Sequence, residues 1–242
     1  MKKILVVLTI LFLNFAYSQE DFVEKGIVAY GNGDYKNGMM YHQKACDIND
    51  GRGCVFLGAF YEEGLIVGKN YLKAIELYKK ACDLKVGVGC SNLGSMYVYG
   101  KGVGIDYHKA LEYFNKACSL NNGVGCSNLG SMYASGKGVR KDNFKAIELV
   151  GKACDLNYSV SCFDLGLMYY KGDGVRKDFS KALEYFNKAC DLDDGISCSN
   201  LGVMYASGKG VRKDTSKALE YFGKACDLKN DLGCQAYAKL KQ

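Results

Sequence analysis

Histidine is scarce in this sequence. Only His42 and His108 occur among the 242 residues. A zinc-dependent hydrolase needs a cluster of histidines and acidic residues, and a structural zinc site needs closely spaced Cys or Cys/His pairs. The sequence therefore predicts no metal site and no cofactor. Each histidine falls in a predicted helix, where we expect a surface or partly packed residue.

Long apolar runs are lacking beyond the first eighteen residues. Lys2 and Lys3 precede an apolar run from Ile4 to Phe15, which is followed by Ala-Tyr-Ser at 16–18. This order is typical of a secretory signal peptide cut after residue 18, and the run is too short for a comfortable membrane span. We therefore expect a signal peptide at 1–18, no membrane span in the remainder, and a secreted or periplasmic protein.

A strong excess of one charge is also lacking. The formal charge is +6, and it falls to +4 without residues 1–18. Nucleic-acid binders concentrate Lys and Arg on one surface, whereas the most basic loops here mix the signs. These loops are Arg140-Lys141-Asp142, Arg176-Lys177-Asp178 and Arg212-Lys213-Asp214. The pattern argues against a nucleic-acid partner, although a regular stack would align the loops and leaves contact with anionic glycans or lipids open.

Cysteine, in contrast, is abundant and regularly spaced. Twelve cysteines form six pairs, and each pair follows the last by 36 residues. The pairs are Cys46/Cys54, Cys82/Cys90, Cys118/Cys126, Cys154/Cys162, Cys190/Cys198 and Cys226/Cys234. Export and an even cysteine count favour disulfides, and the seven intervening residues are more than zinc-binding cysteine pairs usually have.

Each 36-residue period divides into two predicted helices. Small and apolar residues at i, i+3, i+4 and i+7 from Cys90 to Tyr97 predict a first helix, A, which ends at Gly100. Asp106 is the expected N-cap of a second helix, B, which ends at Cys118. One cysteine therefore closes helix B and its partner opens the next helix A, so a short bridge between antiparallel helices is feasible.

This period predicts a single solenoid over residues 19–242, because helix-pair repeats bury their apolar faces only against their neighbours. We expect a tetratricopeptide-like first unit at 19–52, repeats at 53–88, 89–124, 125–160, 161–196 and 197–232, and a C-terminal capping helix at 233–242. The first unit has a shorter interhelical turn than the others. Terminal repeats are often atypical because they cap the array.

The repeat also has a recognisable consensus. It is Asn92-Leu93-Gly94-Ser95-Met96-Tyr97, then Gly100, Gly102, Val103 and Asp106, then Lys109-Ala110-Leu111-Glu112-Tyr113-Phe114, and finally Lys116-Ala117-Cys118. This consensus resembles the Sel-like repeat, a relative of the tetratricopeptide repeat, and the cysteine pairs make it similar to the Helicobacter cysteine-rich protein family. The resemblance covers essentially all of the chain after the signal peptide. It implies an all-α solenoid superhelix of Sel-like, tetratricopeptide-like helix pairs stapled by disulfides.

The resemblance implies two kinds of function. Similar proteins are regarded as secreted scaffolds that bind peptides or proteins, and some are named penicillin-binding proteins or weak beta-lactamases. A serine beta-lactamase needs Ser-x-x-Lys, Ser-Asp-Asn and Lys-Thr-Gly elements, and none of them occurs here. With every cysteine paired, a thiol nucleophile is also absent. No catalytic residue is predicted, so beta-lactam hydrolysis is an alternative that rests on the resemblance alone.

The candidate binding residues share one position in helix A of four repeats. They are Asn92, Asn128, Asp164 and Asn200. In related superhelical arrays the A helices line the concave surface, and an amide offers both a donor and an acceptor to a peptide backbone. The alternative is that these amides are polar positions near a helix start, or are buried and tie one repeat to the next.

The sequence thus predicts a monomeric interaction scaffold that binds a peptide or protein on its concave surface. A host-derived protein is among the candidate ligands. A periplasmic scaffold for assembly of the cell envelope would have the same fold, so that function class stays open beside the hydrolase.

Overall fold

The computed structural model describes residues 22–242, so the predicted signal peptide lies outside the described residues. Thirteen helices and no strand occur in the described chain. The helices are α1 (22–31), α2 (Tyr35–Asp47), α3 (Gly51–Glu63), α4 (Tyr71–Asp83), α5 (Gly87–Tyr99), α6 (Tyr107–Ser119), α7 (Gly123–Ser135), α8 (Asn143–Asp155), α9 (Ser159–Lys171), α10 (Phe179–Asp191), α11 (Gly195–Ser207), α12 (Thr215–Asp227) and α13 (Asp231–Lys241). From residue 22 onward, none of them has the length and apolarity needed to cross a membrane.

Two compact units divide the chain. Unit 1 extends to Gly125 and unit 2 begins at Cys126. Odd-numbered helices are the A helices and even-numbered ones the B helices, and every helix from α2 to α12 has 13 residues. Constant helix lengths keep equivalent side chains in register within each unit.

Local sequence signals set the helix ends. Asp106 is the N-cap of α6, as predicted, because its Oδ1 accepts the backbone N–H of Lys109 at 3.0 Å. The B helices α4, α8, α10 and α12 begin with the same contact at Asn70, Asp142, Asp178 and Asp214. At the C-terminal end of the A helix α9, Gly172 is the cap residue, and its φ of 85° lies in the left-handed region that glycine enters at little cost. The aspartates of the basic loops are therefore structural caps.

On most A helices a glycine lies against an aromatic ring of the following B helix. At Gly166 in α9, an added Cβ would stand 2.6 Å from Cδ1 of Phe186 in α10. The same contact joins Gly94 to Phe114 in unit 1 and Gly202 to Phe222 in unit 2. The missing side chain lets the two helices approach closely, and the buried ring fills the interior between them.

Within each unit, disulfides join B helices to the A helices that follow them. Cys46–Cys54 and Cys82–Cys90 lie in unit 1, and Cys154–Cys162, Cys190–Cys198 and Cys226–Cys234 lie in unit 2, with Cα atoms 4.5 to 4.8 Å apart. Cys118 and Cys126 are disulfide-bonded as well, and the described chain holds no free cysteine. Closing so short a loop contributes about 2 to 3 kcal/mol per bridge on the chain-entropy model. The predicted all-helical solenoid stapled by disulfides is confirmed.

One histidine differs from the expectation of a surface or partly packed residue. His108 is exposed, but the side chain of His42 in α2 is only 1% exposed. Its ring stacks on Phe56 with centroids 4.6 Å apart and occupies the space beside Gly26, which has no side chain of its own. The Nδ1 atom has no hydrogen-bond partner. Burial lowers the pKa of His42 to about 4, because the charged ring would lose its hydration.

Candidate functional site

The candidate binding residues lie at one register position on their A helices. Asn92 is in α5 of unit 1, whereas Asn128, Asp164 and Asn200 are in α7, α9 and α11 of unit 2. Each follows a buried cysteine by two residues, precedes a buried leucine, and is itself half-buried. The four side chains are therefore neither fully exposed nor enclosed in the core.

Asn92 takes part in a polar network within unit 1. The Tyr78 hydroxyl in α4 donates to Oε2 of Glu62 at 2.8 Å, and Nζ of Lys101 donates to Oε1 of the same carboxylate at 2.8 Å. The Asn92 side chain of α5 interacts with the Tyr78 hydroxyl and acts to lower its pKa. Burial, followed by the charge of Glu62, raises the pKa of Tyr78 well above its usual range. The amide at this position thus lies beside polar contacts that connect consecutive repeats, which favours a structural role for Asn92.

Asn128 and Asn200 are placed differently. No hydrogen bond within the described residues engages either side chain. Both remain partly accessible, so each amide keeps a free donor and a free acceptor. A half-buried amide without an internal partner gains most from a hydrogen bond with a bound ligand, because its contact with water is already reduced.

Asp164 brings a carboxylate to the same register position. It is half-buried, and no hydrogen bond or ion pair of the described chain engages it. Burial raises the pKa of Asp164, and the negative charge of Asp194 raises it further. Across residues 22–242, no three His, Cys, Asp or Glu side chains are grouped so that they could hold a metal ion. A partly desolvated carboxylate of this kind can accept an N–H group or pair with a cation.

Beside Asp164, unit 2 contains a cavity of about 390 Å³. It lies between α7, α8 and α9, and its apolar wall includes Ala146, Val150, Leu167 and Met168. The sequence reasoning named Asp164 but missed Val150. Comparison of the repeats would have found it, because the equivalent residue is Phe114, Phe186 or Phe222 in three other repeats and Tyr78 in a fourth.

Lysines in the first turn of the B helices, next to the basic loops, have a structural role in unit 2. Nζ of Lys181 lies 5.0 Å from the ring centroid of Tyr169, and Nζ of Lys217 lies 5.2 Å from that of Tyr205. The Tyr205 ring also stacks on Tyr221 at 5.4 Å. Cation–π contacts of this kind contribute about 0.5 to 1 kcal/mol at exposed sites. The lysines near these loops thus pack on the tyrosines that hold helices A and B together.

Comparison with known proteins identifies the repeat. The Sel1 repeat family model matches residues 24–50, 51–86, 87–122, 123–158, 159–194 and 195–230. One curated relative, Beta-lactamase HcpA from Helicobacter pylori, is 46% identical over 57 residues. That match covers 24% of this chain and 23% of the relative, so less than a quarter of the relative's length is matched.

Solved structures share the fold over most of the chain. A Sel1 repeat protein from Oxalobacter formigenes superposes with a TM-score of 0.74 and 29% identity, covering 90% of this chain and 97% of its own. The protein c5321, described as a protective antigen of uropathogenic Escherichia coli strains, gives a TM-score of 0.71 and 26% identity, covering 92% of this chain and 48% of its own.

These findings confirm the resemblance to the Helicobacter cysteine-rich proteins. The repeat matches rest on sequence, and the superpositions extend them to the three-dimensional fold. The Sel1 repeat fold is a protein-interaction scaffold. Because six consecutive matches span residues 24–230, the chain belongs to the Sel1 repeat family.

Proposed function

We propose that this chain is a secreted or periplasmic interaction protein that acts as a monomer and binds a peptide or protein on its A helices, along the concave surface of the solenoid. The observation that carries the proposal is the pair of amides at Asn128 and Asn200. Both are partly accessible, stand at the same register position, and have no hydrogen-bond partner in the described chain. Equivalent amides along one surface can hydrogen-bond the backbone of an extended ligand without reading its sequence.

The neighbouring positions on the A helices support this proposal. The buried leucine that follows each amide is constant, as at Leu129 and Leu201. Three residues beyond the amide position, in contrast, unit 2 has Ser131, Leu167 and Val203, all at least partly accessible. Constant polar groups beside variable accessible side chains suit a surface where the amides hold the ligand backbone and their neighbours select its side chains.

The disulfides support the proposed compartment. Disulfides persist in the periplasm and outside the cell but are usually reduced in the cytosol. All described cysteines are oxidised, and the sequence pattern of residues 1–18 is that of an export signal. A ligand from the bacterial envelope would meet the protein in the periplasm, and a host protein would meet it outside the cell.

The enzymatic name of the Helicobacter pylori relative belongs to that protein. No observation in this chain favours beta-lactam hydrolysis, since the Ser-x-x-Lys, Ser-Asp-Asn and Lys-Thr-Gly elements are missing from its sequence. Incubation of the oxidised protein with a fluorescent penicillin should give no stoichiometric acylation. A labelled protein band that resists denaturation would support the hydrolase instead.

A peptide-selection experiment tests the proposed function. A displayed library of random peptides is selected against the oxidised protein, and the affinity of the selected peptides is measured by calorimetry. The Asn128→Ala/Asn200→Ala variant should bind more weakly by about 1 to 3 kcal/mol, because two hydrogen bonds are lost. Its stability should change by less than about 0.5 kcal/mol per site.

Two further variants serve as controls. Asn115→Ala removes an exposed amide from the B helix α6 and should leave both affinity and stability unchanged. Asn92→Ala should lower stability, because its side chain interacts with the buried Tyr78 hydroxyl. Unchanged affinity in a folded Asn128→Ala/Asn200→Ala variant would contradict the proposal, as would a binding defect that only follows a loss of thermal stability.

A further inference from the structure

One B helix lacks the aromatic ring that the others place against an A-helix glycine. Val150 of α8 stands where α10 and α12 have Phe186 and Phe222. Its A-helix partner, Gly130, is still a glycine, and an added Cβ there would stand 3.0 Å from Cγ2 of Val150. Helices α7 and α8 can thus still approach closely at this glycine, although α8 has no ring there.

The missing ring leaves open space within unit 2. The cavity of about 390 Å³ beside Val150, here named the α8–α9 cavity, has walls from Ala146, Ile147, Leu167 and Met168. Met168 is half-buried, whereas the equivalent Met204 of α11 is 1% exposed. The interior of a repeat protein is normally filled at this position, so the cavity follows from a local departure from the repeat.

A second departure lies at the edge of the same cavity. Asp164 replaces the asparagine found at Asn128 and Asn200, so the one carboxylate of this register position lines the cavity left by the ring. Asp173 is a second lining carboxylate, and no Lys or Arg belongs to the lining. The cavity thus joins an apolar wall to negative charge that is not neutralised there. Charge complementarity selects a cationic occupant and disfavours an anion.

We propose that the α8–α9 cavity binds an aromatic side chain of a peptide ligand that carries a cationic group next to the ring, such as Phe or Tyr adjacent to Lys or Arg. The ring would take the place that Phe186 and Phe222 fill in their own repeats, and the cation would pair with the carboxylate of Asp164. This inference rests on the proposed function, since it assigns the side-chain chemistry of the peptide bound by the A helices. It makes the α8–α9 junction the specificity-determining part of unit 2.

The smallest probe with both features is protonated 2-phenylethylamine, which combines one ring with one ammonium group. Its binding is followed by NMR of ¹³C-labelled methionine methyl groups, with Met168 as the reporter in the cavity and Met204 as the internal reference. For a fragment of this size we expect a Kd in about the millimolar range. The matched probes are 3-phenylpropionate, which reverses the charge, and butylamine, which lacks the ring. Both should bind more weakly than phenylethylamine.

Two variants restore the residues of the other repeats and should therefore fold. Val150→Phe fills the cavity with the ring that α10 and α12 carry, and it should abolish the shift of Met168. Asp164→Asn removes the charge with little change of shape, and it should weaken phenylethylamine about tenfold, since bonds to charged groups are the stronger ones. Asp227→Asn changes an exposed aspartate at the end of α12 and should leave the Kd unchanged.

The inference is overturned if phenylethylamine shifts Met168 no more than 3-phenylpropionate does, or if it binds Val150→Phe as well as it binds the natural protein. If Val150→Phe fails to fold, Asp164→Asn still decides the test. An unchanged Kd of phenylethylamine for Asp164→Asn would also refute the site. Selected peptides that bind Val150→Phe undiminished would leave the proposed function intact and reject the cavity. If phenylethylamine binds the cavity but no peptide is selected, the cavity site would stand and the proposed function would be rejected.

Discussion

Acid should destabilise the first repeat through His42. The imidazole is buried, its Nδ1 has no partner, and its pKa falls from 6.5 to about 4 on folding. The unfolded chain therefore binds a proton more readily than the folded one, and stability decreases as the pH falls below 6.5. The loss is complete below about pH 4, where it reaches about 3 kcal/mol. At pH 5 the same two pKa values give a loss of about 2 kcal/mol.

The difference between variants isolates this contribution from the titration of carboxylates. Unfolding in urea is measured at pH 7 and pH 5 for the natural protein, for His42→Leu, and for His108→Gln as the exposed control. The natural protein and the control should each lose about 2 kcal/mol more than His42→Leu between these pH values. NMR of the His42 ring should show a neutral imidazole throughout. An imidazole that titrates near its usual pKa, or an equal loss in all three proteins, would refute the reasoning.

Two further predictions concern packing and covalent structure. Gly166→Ala should lower the free energy of unfolding in urea by about 1 to 3 kcal/mol, because its Cβ would overlap the Phe186 ring. The matched change Gly151→Ala, in the middle of α8, places its Cβ in open space and should raise that free energy by about 0.5 to 1 kcal/mol. Equal effects of the two substitutions would contradict the ring contact. Peptide mapping without reduction should recover six local bridges, and loss of one of them in Cys82→Ser/Cys90→Ser should lower stability by about 2 to 3 kcal/mol. A bridge between distant repeats, or stoichiometric zinc, would contradict the pairing.

The parts of the fold that were predictable depend on local patterns. Asp106 could be identified as an N-cap because a cap is defined by its own backbone and the next three residues. The helix boundaries near Gly100 follow in the same way from a left-handed residue. The pairing of the cysteines could be predicted from the sequence period alone, because the chain repeats the same turn between helices B and A.

The features that escaped prediction depend on contacts between elements. His42 is buried because Gly26 of α1 leaves room for its ring, and the atypical first repeat has no second copy that would reveal this pairing. Asn92 differs from Asn200 because Tyr78 carries a hydroxyl within reach. The ring missing at Val150 is visible in the sequence, but the space it leaves is not. Only the structure shows that the large neighbour Phe163 packs towards Phe186, with centroids 6.1 Å apart, instead of filling the cavity.

The placement of the bridges decides how the chain responds to a protease. A cut between Cys82 and Cys90 leaves both fragments covalently joined, because the disulfide spans the turn between one repeat and the next. The loop from helix A to helix B has no such bridge, and in unit 2 it carries exposed trypsin sites, for example at Arg176 and Arg212. Cleavage there would release fragments that end inside a repeat and expose its apolar interior. Proteolytic lifetime outside the cytosol is therefore governed by a few glycine-rich loops.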